Sequence, residues 1–381
     1  MAIRNPNPGS HLEKSGLMRV LYFTGANSPH DRRFLSALAE TEHRVFALRF
    51  ADCTPETPAG ITELDWPEGR PDWSDWDGWQ AAKKQFLKIL DHIQPDLVHA
   101  GPIQQSAMLT FLSGFHPLIS MSWGSDLLKL AKRSPWMRHA TRCALSGSDL
   151  FLADCRTVAD EALRYGFPPD RIVQFPWGVD LAHFSPKTAR PPGIKLRESL
   201  GWEDQFVILC NRSWAPIYGV DLLVQAFVSA VHVNPNLRLL LVGDGPQAAH
   251  IKRILEPVIH AVHLPGQMDL VDLPAVYGAA DLYVTPSYCD GSSVSLMEAM
   301  ACGCAVLASD IPSNREWVTP GQTGDLFKDG NLNSLVEKLL ALPEDPNIAS
   351  YGKAARLVAE EWADWQRNFQ RLLTAYEMAV G

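Results

Sequence analysis

Short apolar runs alternate with helix-patterned stretches along this chain, and the series begins twice. The first series opens with Met18 to Thr24 and continues through Arg44 to Arg49, Asp96 to Ala100, Leu118 to Ser122 and Leu150 to Ala153. Within it, Asp75 to Ile93 has the apolar spacing of an amphipathic helix. After Phe175-Pro-Trp-Gly-Val-Asp180 the pattern restarts, with Gln205 to Cys210, Leu237 to Gly243, Asp281 to Thr285 and Ala305 to Ala308. Strands alternating with helices imply parallel βαβ units, so the chain reads as α/β with two parallel-sheet domains. Two such domains facing each other place the carboxyl ends of their strands across a cleft, where open α/β sheets bind ligands.

Size and composition agree with this reading. At 381 residues the chain exceeds one ordinary core, and 46% hydrophobic with 20% charged residues is a globular balance. A net charge of −9 excludes a global basic field for nucleic acid. No apolar run has the length of a membrane span, and residues 1 to 10 lack the apolar core of a signal peptide. Seven cysteines without a Cys-x-x-Cys pair fit reduced thiols, so a cytoplasmic protein is expected. Cys302-Gly-Cys304 reads as a helix end rather than a metal or redox pair. Residues 1–17 are expected to form a flexible extension. Ser28 reads as a helix N-cap with Pro29 at the first helical position. Residues 183–200 read as a linker with a short helix, and Glu360 to Val380 as one long helix.

The chemistry concentrates in Asp290-Gly-Ser-Ser-Val-Ser-Leu-Met-Glu298. It follows the strand at Asp281 to Thr285 and opens a helix that Gly303 closes. A strand, a small-residue turn and a helix N-terminus make an anion site, because unpaired N–H groups and the helix dipole both point at it. Glu298, more than a turn into the helix, is placed to accept hydrogen bonds from a diol such as a ribose. On spacing alone, an ordinary strand–turn–helix with two incidental acids remains an equal account.

This stretch resembles the Glu-x7-Glu signature of retaining glycosyltransferases of family 4, which have the GT-B fold. The resemblance runs nearly the length of the chain. Asp149-Leu-Phe-Leu-Ala-Asp154 is similar to the family's last N-domain strand, Phe175 to Phe184 to its interdomain entry, and Val242-Gly-Asp-Gly-Pro246 to its Gly-x-Gly-Pro turn. It implies an N-terminal acceptor-side domain over residues 18–176 and a nucleotide-sugar-binding domain over 177–358. A C-terminal helix, 359–381, then crosses back to the first domain. It makes Glu298 the ribose ligand and Asp290 the sugar-side carboxylate, one methylene shorter than the usual Glu. The amides of Gly291, Ser292 and Ser293 become the cradle for sugar and phosphate. Arg212 stands at the family's diphosphate-binding Arg. Tyr218 occupies the place of its Lys, in a loop one residue longer than the common form, and brings a hydrogen bond but no charge. Gly25 lies in the loop under the donor phosphates and Gln267 in the nucleobase-side loop. Trp123 stands where many relatives have a sugar-contacting His, and Asp126 either orients a sugar hydroxyl or caps the following helix. Arg212, Asp290 and Asp126 are thus the expected catalytic set. The resemblance implies no metal and no cofactor, with a UDP- or GDP-linked sugar as co-substrate and a glycan, lipid-linked or small-molecule acceptor.

Other residues are candidates on their own placement. Arg32 and Arg33 sit in the first turn of a helix, where cations oppose the dipole; one of them could face the diphosphate, though a solvated helix face is the plainer account. His99 ends a strand, where structural and functional histidines are equally common. Residues 127–145 carry Lys129, Lys132, Arg133, Arg138 and Arg142 with no acid and with Trp136 among them. That segment could rest on an anionic membrane surface at the inner face and reach a lipid-linked acceptor, or form a solvated helix pair. Trp66, Trp73, Trp76 and Trp79 line an acceptor site or pack around a loop. The rival functions are a hydrolysing or epimerising enzyme on nucleotide sugars, and a catalytically dead binding protein. A nicotinamide dehydrogenase is disfavoured, because Gly25-Ala-Asn-Ser-Pro lacks the Gly-x-Gly-x-x-Gly fingerprint.

Overall fold

The structure is a computed structural model and describes residues 16–25, 29–50, 57–69 and 75–381. The expectations for residues 1–15, Ser28 and Trp73 lie outside the described residues. The chain divides into two compact units: residues up to Phe175 together with Phe369–Gly381, and Pro176–Asn368.

The first unit is built on a seven-stranded sheet of β1 (Arg19–Thr24), β2 (Arg44–Arg49), β3 (Thr62–Leu64), β4 (Leu97–Gly101), β5 (Leu118–Met121), β6 (Leu150–Ala153) and β7 (Ile172–Gln174). Its strands pair in parallel in the order β3-β2-β1-β4-β5-β6-β7. The connecting helices are α1 (Pro29–Ala39), α2 (Trp76–Ile93), α3 (Met108–Ser113), α4 (Ser125–Leu128), α5 (Pro135–Ser146) and α6 (Arg156–Arg164). Every residue of β4, β5 and β6 is buried, which explains why these strands read as unbroken apolar runs. Asp75 caps α2 by accepting from the Gly78 N–H at 2.8 Å.

The second unit carries β8 (Phe206–Cys210), β9 (Leu237–Val242), β10 (Val262–Gly266), β11 (Leu282–Thr285), β12 (Ala305–Ser309) and β13 (Gly324–Phe327). These pair in parallel in the order β10-β9-β8-β11-β12-β13. Its helices are α7 (Pro186–Leu200), α8 (Val220–Val233), α9 (Ala248–Leu255), α10 (Leu273–Ala279), α11 (Val294–Ala301), α12 (Leu332–Ala341) and α13 (Ile348–Trp362). Alternation along β9 feeds two cores: Leu239 and Leu241 pack into one, Leu240 and Val242 into the other. Both faces of this sheet are therefore covered, as a doubly wound α/β unit requires.

Two sequence expectations change. Residues 183–200 are mostly one helix, α7, rather than a linker with a short helix. Ser185 caps it in a reciprocal bond with Thr188, and the helix keeps Pro191 and Pro192 inside. Glycine explains its packing on α10. A Cβ on Gly278 would lie 1.9 Å from the Ala189 carbonyl oxygen, and one on Gly193 would lie 2.2 Å from Gly278. The supposed single helix from Glu360 is broken between α13 and α14 (Trp365–Val380). At the break Val179 donates to the Ala363 carbonyl at 2.6 Å and accepts from the Trp365 N–H at 3.0 Å. These backbone bonds replace the helical ones. Beyond Asn368, α14 returns to the first unit, where Leu372 and Tyr376 are fully buried and the Tyr376 hydroxyl lies 2.7 Å from His99 Nδ1.

Candidate active site

In the second sheet the winding direction reverses between β8 and β11, and ligands of open α/β sheets collect at such a point. Arg212 leaves the end of β8, and Asp290 to Ser293 leave the end of β11. The structure joins these two segments. Arg212 donates through Nη2 to Asp290 Oδ2 at 2.6 Å, and through Nη1 to the Ser293 and Ser295 hydroxyls at 2.8 and 2.9 Å. Ser293 also caps α11, accepting from the Leu296 N–H. The guanidinium is thereby held at the N-terminus of a helix, and both favour an anion. Tyr218 lies over it with 4.3 Å from Arg212 Cζ to the ring centroid. The loop reaches this position through Gly219, at φ 62°, where a Cβ would lie 2.3 Å from the Pro286 carbonyl oxygen.

Charge states follow from burial and pairing. Burial alone would weaken Arg212 as a base, but Asp290 and the surrounding hydroxyls hold its pKa above the ordinary value. Burial pushes the Asp290 carboxyl upward, while Arg212 and the Gly291 N–H pull it back. Burial also raises the Tyr218 hydroxyl, against the lowering effect of Arg212. At neutral pH the cluster therefore holds a neutral phenol over a paired guanidinium.

Glu298 is nearly buried, on α11. Its Oε2 accepts from the Tyr277 hydroxyl at 2.7 Å, and Tyr277 in turn accepts from Asn211 Nδ2 at 2.6 Å. Tyr283 bonds the Ser295 hydroxyl at 2.8 Å, and Trp317 donates to Ser292 at 3.1 Å. Arg212, Tyr218, Asp290, Ser293 and Glu298 were all named from sequence; Arg212 gathers Tyr218, Asp290 and Ser293, and Glu298 connects to them through Tyr277, whose hydroxyl also lies 3.3 Å from the Ser295 carbonyl oxygen. Asn211, Tyr277, Ser295 and Trp317 were not named. Tyr277 and Trp317 lie far along the chain from the segments they support, so no local spacing marked them. Gly291 accompanies Asp290 in the turn, and Gln267 stands exposed just past β10.

In the first unit the reversal falls between β1 and β4. Gly25 follows β1, and a Cβ there would meet Gln105 Oε1 at 2.9 Å and Pro102 Cδ at 3.1 Å. Asp126 is buried. One carboxylate oxygen accepts from the Ser122 hydroxyl (2.7 Å) and the Trp123 N–H (2.9 Å), the other from the Ile103 N–H (3.0 Å). Its carboxylate thus ties the Trp123 loop to the turn after β4. The Trp123 ring is half-buried and stacks on His30 at 5.5 Å. His99 is buried and bonded to Tyr376; burial pushes its pKa down to about 3, so it is neutral near pH 7. Arg32 is exposed and Arg33 half-buried on α1. No described helix is long and apolar enough to cross a membrane.

Comparison with known proteins gives these sites a context. The family profile described as "Glycosyl transferases group 1" matches residues 204–345, and "Glycosyl transferase 4-like" matches 19–155. The chain is 31% identical over 207 residues to a GDP-mannose-dependent monoacylated alpha-(1-6)-phosphatidylinositol monomannoside mannosyltransferase of Corynebacterium glutamicum, covering 52% of this chain and 54% of that protein. It is 29% identical over 251 residues to the D-inositol 3-phosphate glycosyltransferase of Gordonia bronchialis, covering 61% and 53%. The chain spans about half the length of the curated relatives it matches. Among solved structures, Anabaena HepE in complex with UDP-glucose superposes with a TM-score of 0.79 at 20% identity, over 95% of this chain and 100% of that one. Sucrose-phosphate synthase of Thermosynechococcus elongatus gives 0.75 at 20% identity, over 95% and 98%. At that identity the structures speak for the fold, which is GT-B. With both profiles matched in order, over well more than half of its length, the chain belongs to the group 1, family 4-like glycosyl transferases.

Proposed function

We propose that the protein transfers a sugar from a nucleoside-diphosphate donor to an acceptor, with retention of anomeric configuration and without a metal. The observation that carries this reading is the Arg212 guanidinium, held by Asp290, Ser293 and Ser295 at the start of α11. A leaving diphosphate gains negative charge as the glycosidic bond breaks, and a preorganised cation and helix N-terminus stabilise that charge. In this reading Glu298 holds the ribose, Asp290 a sugar hydroxyl, and the amides of Gly291 to Ser293 the sugar and phosphate. The departing phosphate takes the acceptor's proton on the same face, so no side-chain base is required. Trp123 and the loop tied down by Asp126 contribute the acceptor-side surface of the first unit.

The base is left to experiment, since the relatives and neighbours named above include users of GDP-mannose and binders of UDP-glucose. Nucleotide release would be measured over UDP, GDP and ADP sugars, with and without EDTA, and Glu298→Ala as control. One productive donor, unaffected by EDTA and lost in the variant, is the expected result. Release without transfer to any acceptor would favour a hydrolase, and tight binding without turnover a binding protein.

The acceptor is proposed to be lipid-linked and met at an anionic membrane surface. On the first unit Trp136 (42% exposed) and Trp76 (52% exposed) meet edge to face at 6.4 Å. Lys129, Arg133, Arg138 and Arg142 stand exposed on the same short stretch of chain. Indole rings with flanking cations are the side chains that settle at a lipid interface.

A further inference from the structure

The loop after β8 holds three buried polar atoms that have no hydrogen-bond partner among the described residues: Asn211 Oδ1, Arg212 Nε and Trp214 Nε1. Leaving such groups unpaired is costly, so their concentration on four consecutive residues marks where a ligand's own polar groups fit. Of the three, Asn211 has its orientation dictated by its neighbours. The Tyr277 oxygen has three partners: the Glu298 carboxylate at 2.7 Å, the Ser295 carbonyl at 3.3 Å and the Asn211 amide at 2.6 Å. A carboxylate and a carbonyl only accept, so the one phenolic proton points to them, and mainly to the shorter, charged bond with Glu298. Burial and the Glu298 charge raise the Tyr277 pKa well above 10.0, so the proton stays on the phenol. Tyr277 must then accept from Asn211, and only the amide nitrogen can donate. The amide oxygen is turned away from Tyr277 and left unpaired among the described residues, on the residue that precedes Arg212 and two hydrogen bonds from Glu298.

We propose that Asn211 is a specificity-determining residue, whose Oδ1 accepts a hydrogen bond from a ribose hydroxyl of the nucleotide held at Glu298. Tyr277 is the positioning residue between them, orienting the carboxylate on one side and the amide on the other. This rests on the donor-binding reading of the site. The chain of bonds supplies one acceptor fixed by charge and one fixed by geometry, which together suit a diol. A nucleotide lacking one hydroxyl leaves an acceptor unpaired, and discrimination comes from that penalty.

The test is calorimetric binding of UDP, GDP and ADP and of their 2′-deoxy and 3′-deoxy counterparts to the full chain. In the wild type one ribonucleotide is expected to bind, and one deoxy form of the same base to bind about tenfold or more weakly. Asn211→Ala should lose about tenfold toward the ribonucleotide and almost nothing toward that deoxy form, so the preference collapses. Tyr277→Phe, which keeps the ring that meets Phe184 and Tyr283, should weaken the same preference; it carries the test if Asn211→Ala does not fold. An equal loss toward both nucleotides in both variants would make Asn211 merely structural and overturn the proposal. If the wild type bound no nucleotide at all, the donor-binding reading would fall and this inference with it.

Discussion

Arg212 shows how one side chain sets what the site can do. Its two terminal nitrogens are committed to Asp290, Ser293 and Ser295, and its face to Tyr218. Asp290 offsets its charge, so the site is poorer in net positive charge than a guanidinium at a helix N-terminus would otherwise be. Tyr218 offers a phenol whose hydroxyl burial keeps protonated. Replacing it with a cation should therefore change affinity in a known direction. Tyr218→Lys is expected to tighten nucleoside-diphosphate binding about tenfold, since a charge-assisted hydrogen bond contributes roughly 1.5–3 kcal/mol. Unchanged affinity by calorimetry at low salt would mean that the diphosphate does not lie beside this loop. The two acids, Asp290 and Glu298, stand out in the sequence by type and spacing around a small-residue turn, and the family resemblance of its loop pointed to Arg212. The sequence did not point to Tyr277 or Asn211, since a tyrosine in an apolar helix and an asparagine after a strand are commonplace until their hydroxyl and amide are seen to meet.

Helices and strands place those side chains, and close packing limits how far they shift. The contact of α7 with α10 has glycine at its tightest point, and Gly278 is the next residue after Tyr277. A methyl group there would collide with the Ala189 carbonyl oxygen at 1.9 Å. Gly278→Ala should lower stability by about 1–3 kcal/mol in urea unfolding, the usual range for overpacking a filled core. It should also weaken nucleotide binding through Tyr277. A variant as stable as the wild type would show that α7 moves aside at no cost. The same scale explains which strands could be read in advance. The nine strands recognised from sequence include all the interior ones, where burial on both faces demands apolar residues. The four that went unnoticed, β3, β7, β10 and β13, are the edges of the two sheets. Two of these, β3 and β7, are only three residues long, and edge strands keep one side toward polar surroundings: β3 reads Thr-Glu-Leu and is mostly exposed. The proline-rich stretch that became α7 misled for a related reason. Its helix is held by the Ser185 cap and by packing on α10, while its local propensity argues against it.

For the whole molecule, charge and exposed aromatics bear on where the protein works. The net charge is −9, yet residues 127–145 have five basic side chains and no acid. Lys132 is engaged by Glu161 at 2.9 Å, and the cations at 129, 133, 138 and 142 are exposed. Binding to vesicles rich in anionic lipid is expected at low ionic strength, fading as salt is raised because exposed charges are screened within about 10 Å at 0.1 M. Trp136→Ala with Arg138→Glu should abolish sedimentation with such vesicles while leaving nucleotide binding unchanged. Indifference of the wild type to anionic vesicles would end the membrane reading. From the residues alone came the α/β class, the two successive sheets and the acid-and-serine turn of the site, because burial, helix periodicity and turn chemistry are local in the chain; the family resemblance added Arg212. Folding in three dimensions settled the edge strands, the break before α14, the return of Tyr376 to His99, and the bonds joining Asn211, Tyr277 and Glu298. Those depend on partners tens to hundreds of residues away, and no local pattern of side chains carries that information.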